Sequence, residues 1–178
     1  MTPFNHNYFL GYINEITPQY VKVHFPSSNL LDKFSHKGTF FSGGNVGNFV
    51  VIEGEEFGYL ARVIEIILPD SEKKSISEKA IQNDESNFHP SGKAELLLSF
   101  SVFEPHRIHK TVSKYPSIGS KVYSCSDEQI EIYVKEFGKK QDDLENVYAD
   151  LGKLTSNDAN CFVSLNRSEE HTSELQSR

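Results

Sequence analysis

The glycines of Gly43-Gly44-Asn45-Val46-Gly47 are the residues whose spacing most suggests phosphate chemistry. A glycine-rich turn ahead of a helix can cradle phosphate on its backbone N–H groups, and a P-loop adds Lys and Ser or Thr after its last glycine. Here Asn48 and Phe49 follow the last glycine, and the residues after them have the pattern of a strand. Gly92 and Gly152 each precede a lysine but lack the earlier glycine of a P-loop. The pattern favours a turn, and we predict no cofactor-binding residue in this chain.

His106 and His109 lie close together in a polar segment and could offer two nitrogens to a metal ion. No third ligand accompanies them, so a polar loop is the favoured interpretation. Cys125 and Cys161 have no partner at a CxxC-like spacing. The carboxylates are scattered, and no serine sits in a Gly-x-Ser-x-Gly elbow. We predict no metal site and no catalytic residue, and we expect no enzymatic activity from these residues alone.

The composition argues against a surface that grips nucleic acid unaided. The formal net charge is -7 and the isoelectric point is near 5.5, whereas nucleic-acid-binding surfaces carry clustered Lys and Arg. No run approaches the roughly 20 apolar residues of a membrane span, and the residues after Met1 lack a signal-peptide pattern. We expect a cytoplasmic protein that makes no membrane contact.

The elements that would position any site are mostly strands. A central hairpin is predicted from the β-branched and aromatic arms Phe49–Ile52 and Tyr59–Leu68, which are joined by Gly54-Glu55-Glu56. A hairpin alone is marginal in water, so other strands must pack on it. We predict these strands at 8–16, 20–25, 93–103 and near 121–123. One face of the third should carry Ala94, Leu96, Leu98 and Phe100. This succession of short strands and turns predicts a mainly β fold, a small closed or partly open β-barrel.

The second half of the chain contains the pattern of one amphipathic helix. Ser126-Asp-Glu-Gln129 has the form of a capping box. Four apolar residues then follow at the spacing of one helical face: Ile130, Tyr133, Val134 and Phe137. Two short strands are predicted at 147–152 and 161–165.

Two segments of the chain break the strand pattern. The polar residues after Leu68 predict a charged surface insertion with a short helix near 75–83, and residues 26–48 predict an irregular loop. We divide the chain into a barrel domain at 1–125, a helix at 126–138, and a linker with short strands at 139–166.

Residues 167–178 do not resemble the rest of the chain. The run Arg167-Ser-Glu-Glu-His-Thr-Ser-Glu-Leu-Gln-Ser177-Arg178 matches one reading frame of a widely used sequencing-adapter oligonucleotide. We expect this tail to be an artefact. We also expect the natural chain to be truncated here and to continue differently after Asn166.

Seven short segments occur in a fixed order: Gly11-Tyr12-Ile13, 47–54, 58–66, Ala94-Glu-Leu-Leu-Leu98, 116–122, Leu151-Gly152-Lys-Leu154 and Phe162-Val-Ser-Leu-Asn166. In this order and spacing, residues 8–166 resemble the N-terminal region of HerA-type ATPases, the hexameric DNA translocases related to FtsK. The resemblance implies a small β-barrel, similar to the N-terminal barrel of rotary ATP synthase subunits, that helps a ring assemble.

The resemblance also implies what the parent protein does. It would be an ATP- and Mg-dependent DNA translocase or helicase whose Walker A loop follows Asn166, and no ATPase residue has a counterpart in this chain. The implied partners are identical subunits in a hexameric ring and a nuclease or sirtuin-like protein, in anti-phage defence or DNA-end processing. DNA would be contacted only through the ATPase core.

Phe40 and Phe41 are the candidate interface residues, because exposed aromatic side chains often anchor contacts between proteins. The other interpretation is that they fill the mouth of the barrel. An alternative function is a stand-alone barrel that binds nucleic acid or a protein partner. In that case Tyr8, Phe9, Tyr12 and Tyr20 would be the stacking platforms for bases.

Overall fold

The structure is a computed structural model that describes residues 4–73, 88–105, 107–138, 147–153 and 159–165. The chain divides into two compact units, Met1–Ser126 and Asp127–Arg178. The helix expected near 75–83, His106 and the adapter-like tail lie outside the described residues.

The first unit is a closed antiparallel β-barrel, which confirms the predicted fold class. Its strands are β1 (Phe9–Ile16), β2 (Val21–His24), β5 (Phe49–Ile52), β6 (Phe57–Ile67), β7 (Ser91–Ser101) and β9 (Lys121–Ser124). A short hairpin of β3 (Phe34–His36) and β4 (Thr39–Phe41) lies between β2 and β5 in the chain. A further short strand, β8 (Ile108–His109), pairs antiparallel with β7. The sheet order is β2-β1-β9-β5-β6-β7, and pairing of β2 with β7 closes it.

The barrel forms because apolar side chains alternate along its strands. In β2, Val21 and Val23 are buried in the core, whereas Lys22 and His24 are only partly buried. The interior is filled by the core cluster Leu10, Ile13, Val21, Val23, Phe25, Val50, Ile52, Tyr59, Ala61, Val63, Ala94 and Val122. Each of these six described strands pairs with a neighbour on both sides, so closure leaves none of them with a free edge.

The prediction that Ala94, Leu96, Leu98 and Phe100 share one face is wrong. The register with β6 shifts, because Leu60 pairs with Leu98 and Ala61 pairs with Leu96, leaving Leu97 as an extra residue. A bulge of one residue turns the following side chains to the other side of the sheet. Ala94 therefore belongs to the core cluster, whereas Phe100 stacks on Phe4 with ring centroids 6.0 Å apart.

Strand direction defines two ends of the barrel. Strands β1 and β5 are both antiparallel to β9, so they run the same way and start at one end, which we call the entry end. The β3–β4 hairpin precedes β5 and lies at the entry end. The β5–β6 turn and the residues that lead into β9 lie at the opposite end, the exit end.

The expectation of an irregular loop at 26–48 is partly wrong, because this segment contains the β3–β4 hairpin. Phe34 pairs with Phe41, Ser35 with Phe40, and His36 with Thr39. Elsewhere in the segment, a 3-10 turn at Ser28–Leu31 and the bends around Gly44 match the expected irregular backbone.

The second unit contains helix α1 (Asp127–Gly138) and a hairpin of β10 (Tyr148–Lys153) and β11 (Asn160–Ser164). The predicted helix and both predicted strands are confirmed. Ile130 and Tyr133 on the apolar face of α1 are buried. One face of the hairpin packs on α1, because Tyr148 Oη donates to the Lys135 carbonyl at 3.2 Å and Lys135 Nζ lies 4.1 Å from the Phe162 ring centroid.

Candidate functional site

The β3–β4 hairpin, residues 34–41, turns tightly at the entry end of the barrel, and we call it the basic hairpin. Its two turn residues, Lys37 and Gly38, have φ of 49° and 81°. Positive φ at both central residues is the signature of a type I′ turn, whose twist matches that of the flanking strands. Glycine accepts this conformation readily, but lysine rarely does. The turn therefore presents Lys37 at its tip at some cost in backbone strain.

Aromatic rings anchor the basic hairpin to the barrel. The Phe41 ring stacks on Tyr8 with centroids 4.0 Å apart and on Phe34 with centroids 5.5 Å apart. The Tyr8 ring also meets the His36 ring edge-on at 5.6 Å. Phe41 is only 4% exposed. Of the two candidate interface residues, Phe41 is thus buried against the rings of Tyr8 and Phe34. Phe40 is described only through its backbone pairing with Ser35.

Two lysines give the hairpin region a local positive charge in an acidic protein. Lys33 and Lys37 are exposed, and neither makes an ion pair with another described residue. Asp32 is the one acidic residue in the stretch from 32 to 41. The composition did not reveal this site, because the two lysines are spread over an apparently irregular segment.

An open cleft lies at the exit end of the barrel, and we call it the acidic cleft. It has a volume of about 200 Å³ and is lined by Gly54, Glu55, Glu56, Phe57, Tyr59, Lys114, Tyr115, Pro116 and Ser117. The β5–β6 turn supplies one wall, and the loop before β9 supplies the other. Sequence analysis identified this turn only as a connection, because the opposite wall comes from residues about 60 positions later along the chain.

One ion pair joins the two walls of the acidic cleft. Lys114 Nζ lies 2.7 Å from Glu56 Oε2 and 5.3 Å from the centroid of the Phe57 ring. The hydrogen bond from Lys114, and its positive charge, lower the pKa of the Glu56 carboxyl. Glu55 is exposed and makes no ion pair with another described residue. Over the residues that the structure describes, the cleft therefore carries one uncompensated carboxylate.

The glycine-rich stretch forms a closely packed turn ahead of β5. A Cβ on Gly43 would collide with the backbone of Leu31 and Asp32, and one on Gly44 would collide with the Phe25 ring. Asn48 Nδ2 closes the turn by donating to the Gly43 carbonyl at 2.9 Å. These glycines permit close packing at this turn, which is the structure that the sequence favoured.

Three cations on the barrel strands are paired with carboxylates of the same sheet. Lys22 pairs with Glu15 at 3.3 Å, Lys93 with Glu65 at 2.8 Å, and Arg62 with Glu95 at 3.2 Å. The proposed stacking platforms are also engaged within the chain: Tyr8 with Phe41, Phe9 with Tyr12 at 4.9 Å, and Tyr20 under Lys93 at 5.2 Å. Among the described cations of the barrel strands, Lys121 alone makes no ion pair, whereas single-strand binders combine a positively charged groove with free aromatic rings.

The chain matches no protein-family model, and no curated protein matches it in sequence.

No helix among the described residues is both long enough and apolar enough to cross a membrane. In the same part of the chain, no three His, Cys, Asp or Glu side chains come together as a possible metal site.

Proposed function

We propose that this protein is the assembly module of a HerA-type ATP-dependent DNA translocase or helicase, working in the cytoplasm. The observation that carries the proposal is an exposed apolar face on the β10–β11 hairpin. The closed barrel supports it as well, since its filled interior leaves the outer surfaces for binding.

The apolar face of the hairpin lies opposite its helix-packed face. Val163 pairs with Ala149, and the Leu165 N–H donates to the Val147 carbonyl at 2.9 Å. Residues paired across a ladder lie on one side of it, so these four side chains share a face. Val147, Val163 and Leu165 are 54%, 42% and 43% exposed, and Leu151, at the bulge of β10, is 65% exposed.

A face of this kind favours docking of another protein surface. Monomeric proteins rarely expose contiguous apolar patches of more than a few hundred Å², and covering apolar surface contributes about 25 cal/mol per Å². Val147, Val163 and Leu165 thus provide on the order of a few kcal/mol for docking. We propose that the ATPase core of the same polypeptide covers this face, as the resemblance implies.

The remaining parts of the proposal also come from the resemblance. ATP and Mg would be bound by the core, and identical subunits would form the ring. A nuclease or sirtuin-like protein would be the further partner, and DNA would be contacted through the core. No step of ATP hydrolysis is assigned to the described residues of this chain.

The test uses the Val163→Lys substitution in the parent protein. Because Val163 is 42% exposed, the stability of the 178-residue chain should hardly change, whereas ring assembly and ATP hydrolysis by the parent should fall. Ile64→Lys is the matched control, because Ile64 on β6 is also 42% exposed and does not line the acidic cleft. Unchanged assembly in Val163→Lys would contradict the proposal.

A stand-alone nucleic-acid-binding barrel is the second candidate, and the basic hairpin is the observation that favours it. Lys33 and Lys37 flank a cluster of rings, a combination that single-strand binders use. The acidic balance and the ion pairs of the barrel strands oppose it. Strongly salt-dependent binding of an oligonucleotide by the 178-residue chain would support this candidate.

A further inference from the structure

We propose that the tip of the basic hairpin of one copy of this protein docks into the acidic cleft of a second copy, so that Lys37 of one pairs with Glu55 of the other. The choice of a second copy as the partner rests on the proposed role in assembly. The surfaces themselves are those of the barrel and are separate from the apolar hairpin face discussed above.

Charge complementarity is the first argument. Lys37 stands at the tip of the hairpin, and Glu55 stands on the wall of the cleft. Both are exposed, and neither is compensated by another described residue. Lys114 already neutralises Glu56 across the cleft. One further cation would thus complete the charge balance of the cleft.

The cleft has room for an incoming side chain, because its volume of about 200 Å³ is several times the roughly 30 Å³ that one water molecule occupies in the liquid. The rings of Tyr115 and Pro116 line it, and a lysine stem packs well on such apolar surface while its ammonium reaches a carboxylate.

Backbone strain at the tip is the second argument. Lys37 has a φ of 49°, where asparagine or glycine would be less strained in a type I′ turn. Strained non-glycine residues point to a functional use for the side chain. Here the strain places an ammonium at the outermost point of the hairpin, where it can enter a cleft.

The two surfaces lie at opposite ends of one barrel, so the contact is head-to-tail. The hairpin precedes β5 at the entry end, and the cleft follows β5 at the exit end. A contact between two different surfaces of the same protein repeats from copy to copy, and it gives a ring if the rotation closes. The geometry thus provides a route to assembly that needs no other chain.

Sedimentation velocity of the 178-residue chain over a range of concentration tests the proposal. The wild type should associate in about 0.05 M salt and dissociate in about 0.5 M salt, because screening weakens exposed charge pairs. Lys37→Asn should weaken association about tenfold, since it removes the charge that pairs with Glu55 while keeping a residue that suits the turn. Lys37→Arg should retain association. Lys73→Gln, which removes a cation paired with Asp70 elsewhere on the barrel, should have no effect.

A charge exchange gives the sharpest result. Lys37→Glu and Glu55→Lys should each abolish association, because each places like charges in contact. An equimolar mixture of the two variants should associate again, since each hairpin then meets a cleft of opposite charge. A merely unfolded variant could not be rescued in this way.

Three results would overturn the inference: a wild type that stays monomeric in low salt, association that survives Lys37→Asn, or a mixture that does not recover. Oligonucleotide binding that Lys37→Asn abolishes, without any effect on self-association, would assign the hairpin to nucleic acid instead. If Val163→Lys disrupts the parent while the charge exchange fails, the assembly role stands and this contact alone is wrong.

Discussion

The Tyr8 ring lies on the Phe41 ring with centroids 4.0 Å apart, which fixes the basic hairpin to the start of β1. Tyr8 immediately precedes β1, and Phe41 ends β4. The stack therefore joins two segments that are distant in sequence. It also explains why Phe41 is 4% exposed in a segment that the sequence presents as a loop.

Phe41→Ala should lower the free energy of unfolding by about 3 kcal/mol, because it leaves a cavity beneath the hairpin. Urea denaturation followed by circular dichroism measures the change. Phe103→Ala is the control, since Phe103 is 84% exposed, and it should change stability by less than about 0.5 kcal/mol. Equal effects of the two substitutions would contradict the burial of Phe41. Because Phe41→Ala lowers stability, a loss of assembly in this variant would not by itself show that Phe41 lies at an interface.

Lys37→Asn should raise the free energy of unfolding by about 0.5 to 1 kcal/mol, because asparagine tolerates positive φ better than lysine. The measurement is the same urea titration at a salt concentration where the chain is monomeric. Lys33→Asn, at an exposed position before β3, controls for the loss of one charge and should give no gain. A destabilised Lys37→Asn variant would show that the turn is not of the type described.

Gly11→Ala should destabilise the barrel by about 2 to 3 kcal/mol, since overpacking forces the backbone to shift. A Cβ at Gly11 would collide with the carbonyl of His24 on the neighbouring strand β2. The exposed Asn14 on the same strand supplies the control, and Asn14→Ala should be nearly neutral. Thermal unfolding distinguishes the two, and a Gly11→Ala variant as stable as wild type would refute the close approach of β1 and β2.

Tyr123 should make the protein less stable in alkali. It is 3% exposed, and its hydroxyl donates to Glu53 Oε2 at 2.7 Å. Burial first, and then the hydrogen bond to Glu53 and its negative charge, raise the pKa of Tyr123 above its ordinary value of 10.0. The unfolded chain thus releases this proton before the folded chain does. The contribution of Tyr123 to stability is therefore constant below about pH 10 and falls above it, by up to about 1.4 kcal/mol per pH unit.

Urea titrations between about pH 9 and 11 measure this effect. Tyr123→Phe should be less stable at neutral pH by about 1 to 2 kcal/mol, because Glu53 loses a donor, and its stability should fall less steeply in alkali. Tyr115→Phe, at a 45% exposed position, should keep the wild-type slope. Parallel curves for wild type and Tyr123→Phe would contradict the account.

Much of the fold follows from local pattern. The arms around Val51 and Val63 are β-branched and bounded by turn residues, and the capping residues before Ile130 start the helix where expected. Closure of the barrel could not be predicted in the same way, because the pairing of Val21 with Ala94 joins strands far apart in sequence. The bulge at Leu97 could not be predicted either. Residues 96–98 are all leucine, so the sequence shows no break in the apolar pattern where the extra residue lies.

The candidate surfaces were harder to foresee than the strands. The arms of the basic hairpin are three residues each, and Lys37-Gly38 is not one of the usual Asn-Gly or Asp-Gly turn pairs. The acidic cleft depends on Lys114 and Tyr115 folding back against the β5–β6 turn, which no local pattern encodes. The charges of Lys37 and Glu55 suggest a contact only once the strand directions place them at opposite ends of the barrel.

The most direct test of the central claim, a barrel that serves a ring ATPase, is to read the source DNA downstream of the Asn166 codon. We predict a Gly-x-x-x-x-Gly-Lys-Ser/Thr loop within about 30 residues, since that motif supplies the phosphate-binding backbone of such ATPases. A stop codon in its place would contradict the claim, and the stand-alone binding barrel would then become the leading account.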